Sequence, residues 1–320
     1  MKSPLDWLSL LQRKKPRVAP TPADVVHREN KWSLLRYRAR PEGRAFSAPV
    51  LLVPSMINRH YVLDLLPGKS FVEYLVKRGH DVFCIDWGTP TDEDRYVTFD
   101  DICDHAIGRA LRVAAKVSSP EAPHKPHVLG YCMGGTLAVI HAAAHNDSMA
   151  SLVAVAAPVR FSDDGLLSRW TRSPSFDVCA LVDALGNVPW PLMQSAFHLL
   201  RPTLTLSKIA HLADRAWTDE FLDGFLATET WGNDNVAFPG ECYRRYIEAL
   251  YRGDQLIDGT FSLSGVRVDL RALTTPTLAV TFENDSIVPF ESAGVLIDVI
   301  GAHDKRLLKV PGGHVGAMVS

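Results

Sequence analysis

The chain has 320 residues, 47% of them hydrophobic, with 34 Lys and Arg against 36 Asp and Glu for a net charge of −2. That length buries one large core with an inserted subdomain, and the near-neutral balance excludes a general electrostatic draw toward nucleic acid. Cys84, Cys103, Cys132, Cys179 and Cys242 are odd in number and lack any CxxC spacing, which argues against a disulfide frame or zinc ribbon and for a reduced compartment, the cytoplasm.

The N-terminus reads Trp7-Leu8-Ser9-Leu10-Leu11 and then turns basic over Arg13-Lys14-Lys15-Pro16-Arg17. A secretory signal has the opposite order, and no run in the chain approaches the roughly 18 apolar residues that span a bilayer. Two readings stay open for residues 1–23: a frayed helix and Pro-rich linker (Pro16, Pro20, Pro22), or an amphipathic anchor at a lipid-coated surface. Val25-Val26 and Ser33 to Tyr37 read as a hairpin. Strands follow near 50–54, 81–86, 126–131, 151–157, 276–282 and 306–310, with helices near 70–78, 100–117, 135–145, 241–251 and 290–300. This alternation predicts an α/β fold with a doubly wound, mostly parallel sheet.

The interval from Val155 to Pro276 is too long for one crossover, so a helical cap over 160–269 is expected, inserted into a core of 24–159 and 270–320. Its aromatic residues Trp170, Phe176, Trp190, Phe197, Trp217, Phe221, Phe225 and Trp231 would mostly form the cap's own core, a minority lining an acyl tunnel. Leu199-Leu200-Arg201-Pro202 and Ala216-Trp217 are alternatively expected at a dimer face. The 12 histidines show no HExxH or other recognised ligand spacing, so neither metal nor bound cofactor is expected.

The chemistry concentrates in Gly130-Tyr131-Cys132-Met133-Gly134, where an apolar strand ends in a sharp turn and reopens as an Ala-rich helix. This is the nucleophile-elbow pattern with sulfur in place of the usual oxygen, and the helix N-terminus behind the sulfur favours thiolate. Such a nucleophile needs a base and an orienting carboxylate, met in the order nucleophile, acid, histidine. Asp285 follows the strand over 276–282, and His314 follows the strand over 306–310. Strand ends of a parallel sheet share one rim, so Cys132 is expected as nucleophile, His314 as base and then acid, and Asp285 as the group that sets the imidazole tautomer. The oxyanion hole would take the backbone N–H of Met133 and one from Met56 or Ile57, with Ile57 preferred. Asp86 reads better as a turn cap than as a substrate contact. Arg59, His60 and Arg160 are rim-side cations that an anionic group could meet, though each reads more readily as a solvated charge.

Beyond the triad, the chain resembles polyhydroxyalkanoate synthases, and within them the short class III catalytic subunits. The likeness rests on Leu51 to Pro54 with Ile57-Asn58-Arg59, Tyr61 to Leu65, Gly79 to Gly88, the elbow, Phe238-Pro239-Gly240 with Tyr243, Leu250-Tyr251-Arg252-Gly253-Asp254, Val268-Asp269-Leu270, Asp285 to Pro289 and Pro311 to Gly316. It implies an α/β-hydrolase fold and polymerisation of (R)-3-hydroxyacyl-CoA, with coenzyme A as part of the substrate and the growing polyester held on Cys132. It also implies a second synthase subunit, a homodimer, and a place in the cytoplasm or on polyester granules. The chain ends six residues after His314, where hydrolases of this fold add a closing helix, so either a longer protein or a partly uncovered last strand is expected. A Cys-dependent hydrolase of the dienelactone-hydrolase or thioesterase kind, and a non-catalytic granule subunit, are the rival readings.

Overall fold

A computed structural model describes residues 16–200 and 218–319. The segment expected as helix or anchor, 1–15, and the stretch Arg201 to Trp217, including part of the expected dimer face, lie outside the described residues.

Eight strands form the main sheet: β1 (Ala23–Glu29), β2 (Trp32–Tyr37), β3 (Val50–Val53), β4 (Val82–Asp86), β5 (His127–Tyr131), β6 (Ser151–Val155), β7 (Thr277–Phe282) and β8 (Lys305–Val310). Their order is β1-β2-β4-β3-β5-β6-β7-β8. Only β2 runs against its neighbours β1 and β4; from β4 through β8 every pairing is parallel. Central strands of such a sheet are buried on both faces. Accordingly Leu51 and Val53 of β3 enter one apolar cluster with Phe83, Val128 and Leu137, while the alternate residues Val50 and Leu52 enter another with Val82, Leu129 and Val72.

Helices cover both faces. The Ser70 hydroxyl accepts the Glu73 N–H at 2.8 Å and caps α1 (Phe71–Lys77). Helix α2 (Ile107–Ser118) buries Ile107, Ala110, Leu111 and Ala114, one stripe at helical spacing, and is preceded by a π-helical stretch, Asp101–Ala106. Helix α3 (Met133–Ala144) is buried from Met133 to Ala143, as its uniformly apolar sequence requires. The helix expected over 290–300 is instead two single turns, Phe290–Ala293 and Leu296–Val299. Outer strand β8 leaves Leu307 and Leu308 exposed at 41% and 49%.

Between β6 and β7 lie α4 (Leu166–Thr171), α5 (Val178–Leu185), α6 (Trp190–Leu200), α7 (Asp219–Gly232) and α8 (Gly240–Arg245), the last running into a π-helical turn, Tyr246–Arg252. These elements fall within the interval expected to form the cap. They are clamped to the core through the loop after β3. There Asn58 and Asn235 form a bridge, Arg59 Nε bonds Asp234 at 3.1 Å, the Tyr61 hydroxyl donates to Asp234 at 2.7 Å, and Trp231 Nε1 donates to the Arg59 carbonyl at 2.9 Å. Among the described residues no helix is long and apolar enough to cross a membrane.

Candidate active site

Cys132 sits between β5 and α3 with φ 55° and ψ −130°, a conformation that side-chain-bearing residues rarely hold. The surroundings over-determine it: its N–H donates to the Val155 carbonyl at 2.8 Å and its carbonyl accepts the Gly135 N–H at 2.9 Å. The flanking glycines are required by close backbone approach. A Cβ on Gly130 would lie 2.5 Å from Gly135 Cα, and one on Gly134 would lie 2.2 Å from the Val53 carbonyl oxygen. The strand, the elbow and the helix can pass this closely only without those side chains.

His314 and Asp285 reach the same place from loops stitched together by backbone bonds, Glu283 N–H to the Val310 carbonyl at 3.0 Å and Asn284 N–H to the Gly312 carbonyl at 2.9 Å. One Asp285 oxygen accepts the N–H groups of Ile287 and Val288, both at 2.9 Å. The other accepts His314 Nδ1–H at 2.7 Å. This division leaves the carboxylate one orientation and the imidazole one tautomer, with Nε2 free to face the sulfur. The Tyr131 hydroxyl donates to the His314 carbonyl at 2.9 Å, tying the residue before Cys132 to His314. Burial by itself would pull the His314 ring down. Burial is the largest single influence, but the charge of Cys132, the hydrogen bonds to Asp285 and Cys132 and the charge of Asp285 together outweigh it, and the ring is raised to about 10. So the structure brings Cys132, His314 and Asp285 together as a unit.

Met133, as the first residue of α3, has an N–H without an intrahelical acceptor, directly beside the sulfur. Ile57 lines the same cavity as Cys132, whereas Met56 lines a different one and lies 3.9 Å, sulfur to sulfur, from Cys242. Asp86 caps its turn by accepting the Gly88 N–H at 3.1 Å and pairs with His60 at 3.4 Å. Arg59 is held by Asp234. None of Asp86, Arg59, His60 and Arg160 lines the cavity at Cys132.

That cavity has a volume of about 490 Å³ and is walled mainly by apolar and aromatic side chains. Of the aromatic residues singled out in the sequence, Trp170, Phe176 and Trp231 line it; Trp190 is 40% exposed, Phe221 stacks on Phe225, and Trp217 lies outside the described residues. The sequence reading did not assign Tyr246 and Tyr251 to the site, although both line it. Burial pushes both phenols up, and the charge of Cys132 adds to it, so both stay neutral in the cavity wall. The signal available was the Leu250-Tyr251-Arg252-Gly253-Asp254 stretch, which carried only the family likeness.

Residues 15–75 match the family described as "Poly-beta-hydroxybutyrate polymerase (PhaC) N-terminus", and 48–319 match the α/β-hydrolase fold. The chain is 33% identical to a poly(3-hydroxyalkanoate) polymerase subunit PhaC of Allochromatium vinosum over 94% of this chain and 84% of that one. It is also 33% identical to the subunit so named from Haloferax mediterranei, over 95% of this chain. The chain spans 61% of the Haloferax relative's length. An esterase of Thermogutta terrifontis shares the fold, with a TM-score of 0.52 at 16% identity over 96% of this chain and 93% of that one. Because it is 33% identical to the Allochromatium relative and covers 84% of it, the chain belongs to the poly(3-hydroxyalkanoate) polymerase PhaC family, built on the α/β-hydrolase fold.

Proposed function

We propose that the chain polymerises (R)-3-hydroxyacyl-CoA into a polyester with release of coenzyme A, carrying the growing acyl chain as a thioester on Cys132. The observation that carries this reading is the meeting of Cys132, His314 and Asp285 at the wall of a large apolar cavity.

The Cys132 thiolate attacks the thioester carbonyl, and its oxyanion is held by the N–H groups of Met133 and Ile57. The carbon–sulfur bond to coenzyme A breaks, and the leaving thiolate takes the proton from His314. Sulfur exchanges for sulfur, so the step is near balance and reversible. Acylation also removes the Cys132 charge, the largest influence raising the His314 ring. With that charge gone and its proton given to coenzyme A, the ring is left as a neutral base. It accepts the proton of an incoming 3-hydroxyl, whose oxygen attacks the acyl carbon. An ester bond forms, Cys132 departs as thiolate, and the imidazolium is restored. The product is an oligoester lengthened by one unit on the incoming coenzyme A, which reloads Cys132.

Apolar walls favour this over hydrolysis by excluding water and housing a greasy chain. The class III likeness adds a second synthase subunit, a homodimer and a granule surface in the cytoplasm as partners and setting. The test follows thiol release and product length from 3-hydroxybutyryl-CoA, with and without a second synthase subunit. Insoluble polyester is the expected product. Free hydroxy acid at a matching rate would assign a hydrolase instead, and no thiol release from intact Cys132 would assign a non-catalytic subunit.

A further inference from the structure

At the far end of α3 from Cys132, about 14–20 Å away by helical rise, His141 lies in the last turn and His145 is the residue that ends the helix, their ring centroids 4.8 Å apart. A search for HExxH passes over this spacing. Asp104, on the π-helical stretch before α2, lies against them, and the three side chains offer ligand atoms all within 4.8 Å of one another. π-Helical turns displace side chains out of ordinary helical register and often mark functional positions.

Each ligand is already oriented. The buried His141 ring has Nδ1 at 2.9 Å from the Cys103 carbonyl. A carbonyl only accepts, so Nδ1 carries the proton and the Nε2 lone pair is free. A backbone partner on the second nitrogen is the arrangement that prepares a histidine for a metal. Asp104 Oδ1 accepts from His145 Nε2 at 2.7 Å, while its Oδ2 accepts from the Ser264 hydroxyl at 2.6 Å. An ion can therefore take Oδ1 without releasing the carboxylate from Ser264. At the exposed His145, binding requires only that the ring proton sit on Nδ1.

All three residues line one cavity of about 360 Å³. The cavity supplies an entry path and room for water as a further ligand. Ser148, whose buried Oγ has no hydrogen-bond partner among the described residues, lines it too. The negative end of the α3 dipole favours a cation here. Arg112, His124 and Lys125 also line the cavity, and of these the Arg112 guanidinium is a permanent positive charge that opposes a bound cation.

We propose that Asp104, His141 and His145 form a three-ligand site for a divalent transition-metal ion that favours imidazole, such as zinc, with water completing the shell. The test titrates Zn²⁺ into the full chain, stripped with a chelator and alkylated at Cys132 so that the reactive thiol does not compete. Calorimetry gives the stoichiometry and Kd, and the thermal midpoint reports binding to the folded state. One ion per chain with a raised midpoint is expected. His145→Ala, at an exposed ring, and Asp104→Asn should each weaken binding at least about tenfold, while Arg112→Ala should tighten it. No uptake, or a Kd unmoved by His145→Ala, overturns the proposal.

Discussion

The Asp285→Asn substitution separates the two half-reactions. Asp285 Oδ1 accepts two backbone N–H groups, at 2.9 Å each, and Oδ2 accepts His314 Nδ1–H at 2.7 Å. An asparagine keeps its oxygen toward Ile287 and Val288, because those donors admit no N–H. Its NH₂ group must then face Nδ1, which becomes an acceptor, and the ring proton moves to Nε2. A ring protonated there and uncharged cannot take the proton of an incoming hydroxyl. A positioned base contributes about 10²–10⁴-fold, and loss of the correct tautomer in a serine triad costs about 10⁴-fold. The hydroxyl-dependent step should therefore slow by about 10³-fold, equivalent to about 4 kcal/mol of barrier. Acylation should suffer less, because a thiolate is already a strong nucleophile. Rapid-mixing measurement of coenzyme A release should show a retained burst near one equivalent per Cys132 and a collapsed steady state. Equal slowing of both phases, or no slowing, would refute the assignment.

Acylation or alkylation of Cys132 should return the His314 ring from its raised value toward or below 6.5, read from its ring resonances across a pH series. The sign follows from the same shift. The His314 contribution to stability is full below the unfolded value of 6.5 and is lost as pH rises through about 10, so the alkylated protein should lose that alkaline dependence. Gly134→Ala places a methyl 2.2 Å from the Val53 carbonyl oxygen and should cost about 3 kcal/mol. Gly224→Ala, inside α7 with no atom nearer than 3.8 Å, should instead stabilise by up to about 1 kcal/mol; opposite shifts in urea midpoints check both. Asp81 is 2% exposed and receives Arg36 at 3.0 Å and Arg44 at 2.6 Å. Asp81→Ala should cost about 2 kcal/mol by stranding both guanidinium groups, with little change in the thiol reactivity of Cys132.

The residues proposed as nucleophile, acid and base stand out in the chain because their signals are local. An elbow needs glycines where backbones touch, and Gly130 and Gly134 occupy those points; β5 and β7 read as apolar runs ending shortly before Cys132 and Asp285, and a Pro-Gly-Gly turn follows β8 just before His314. Local patterning likewise announced the eight strands; the central ones, buried on both faces, write continuous apolar runs, while the outer ones show through their turns and β-branched or Leu pairs. What the sequence left undecided depends on contacts between distant residues. Ile57 rather than Met56 faces the cavity because the loop after β3 is pinned to Asn235 and Val236, almost 180 residues on. Tyr246 and Tyr251 reach the nucleophile through a π-helical turn that no simple periodicity encodes, and Asp104 meets His141 and His145 only when two helices pack. Backbone dihedrals answer to near neighbours and can be read in order; cavity walls and ligand clusters come from the packing of one element on another, and only the folded molecule decides them.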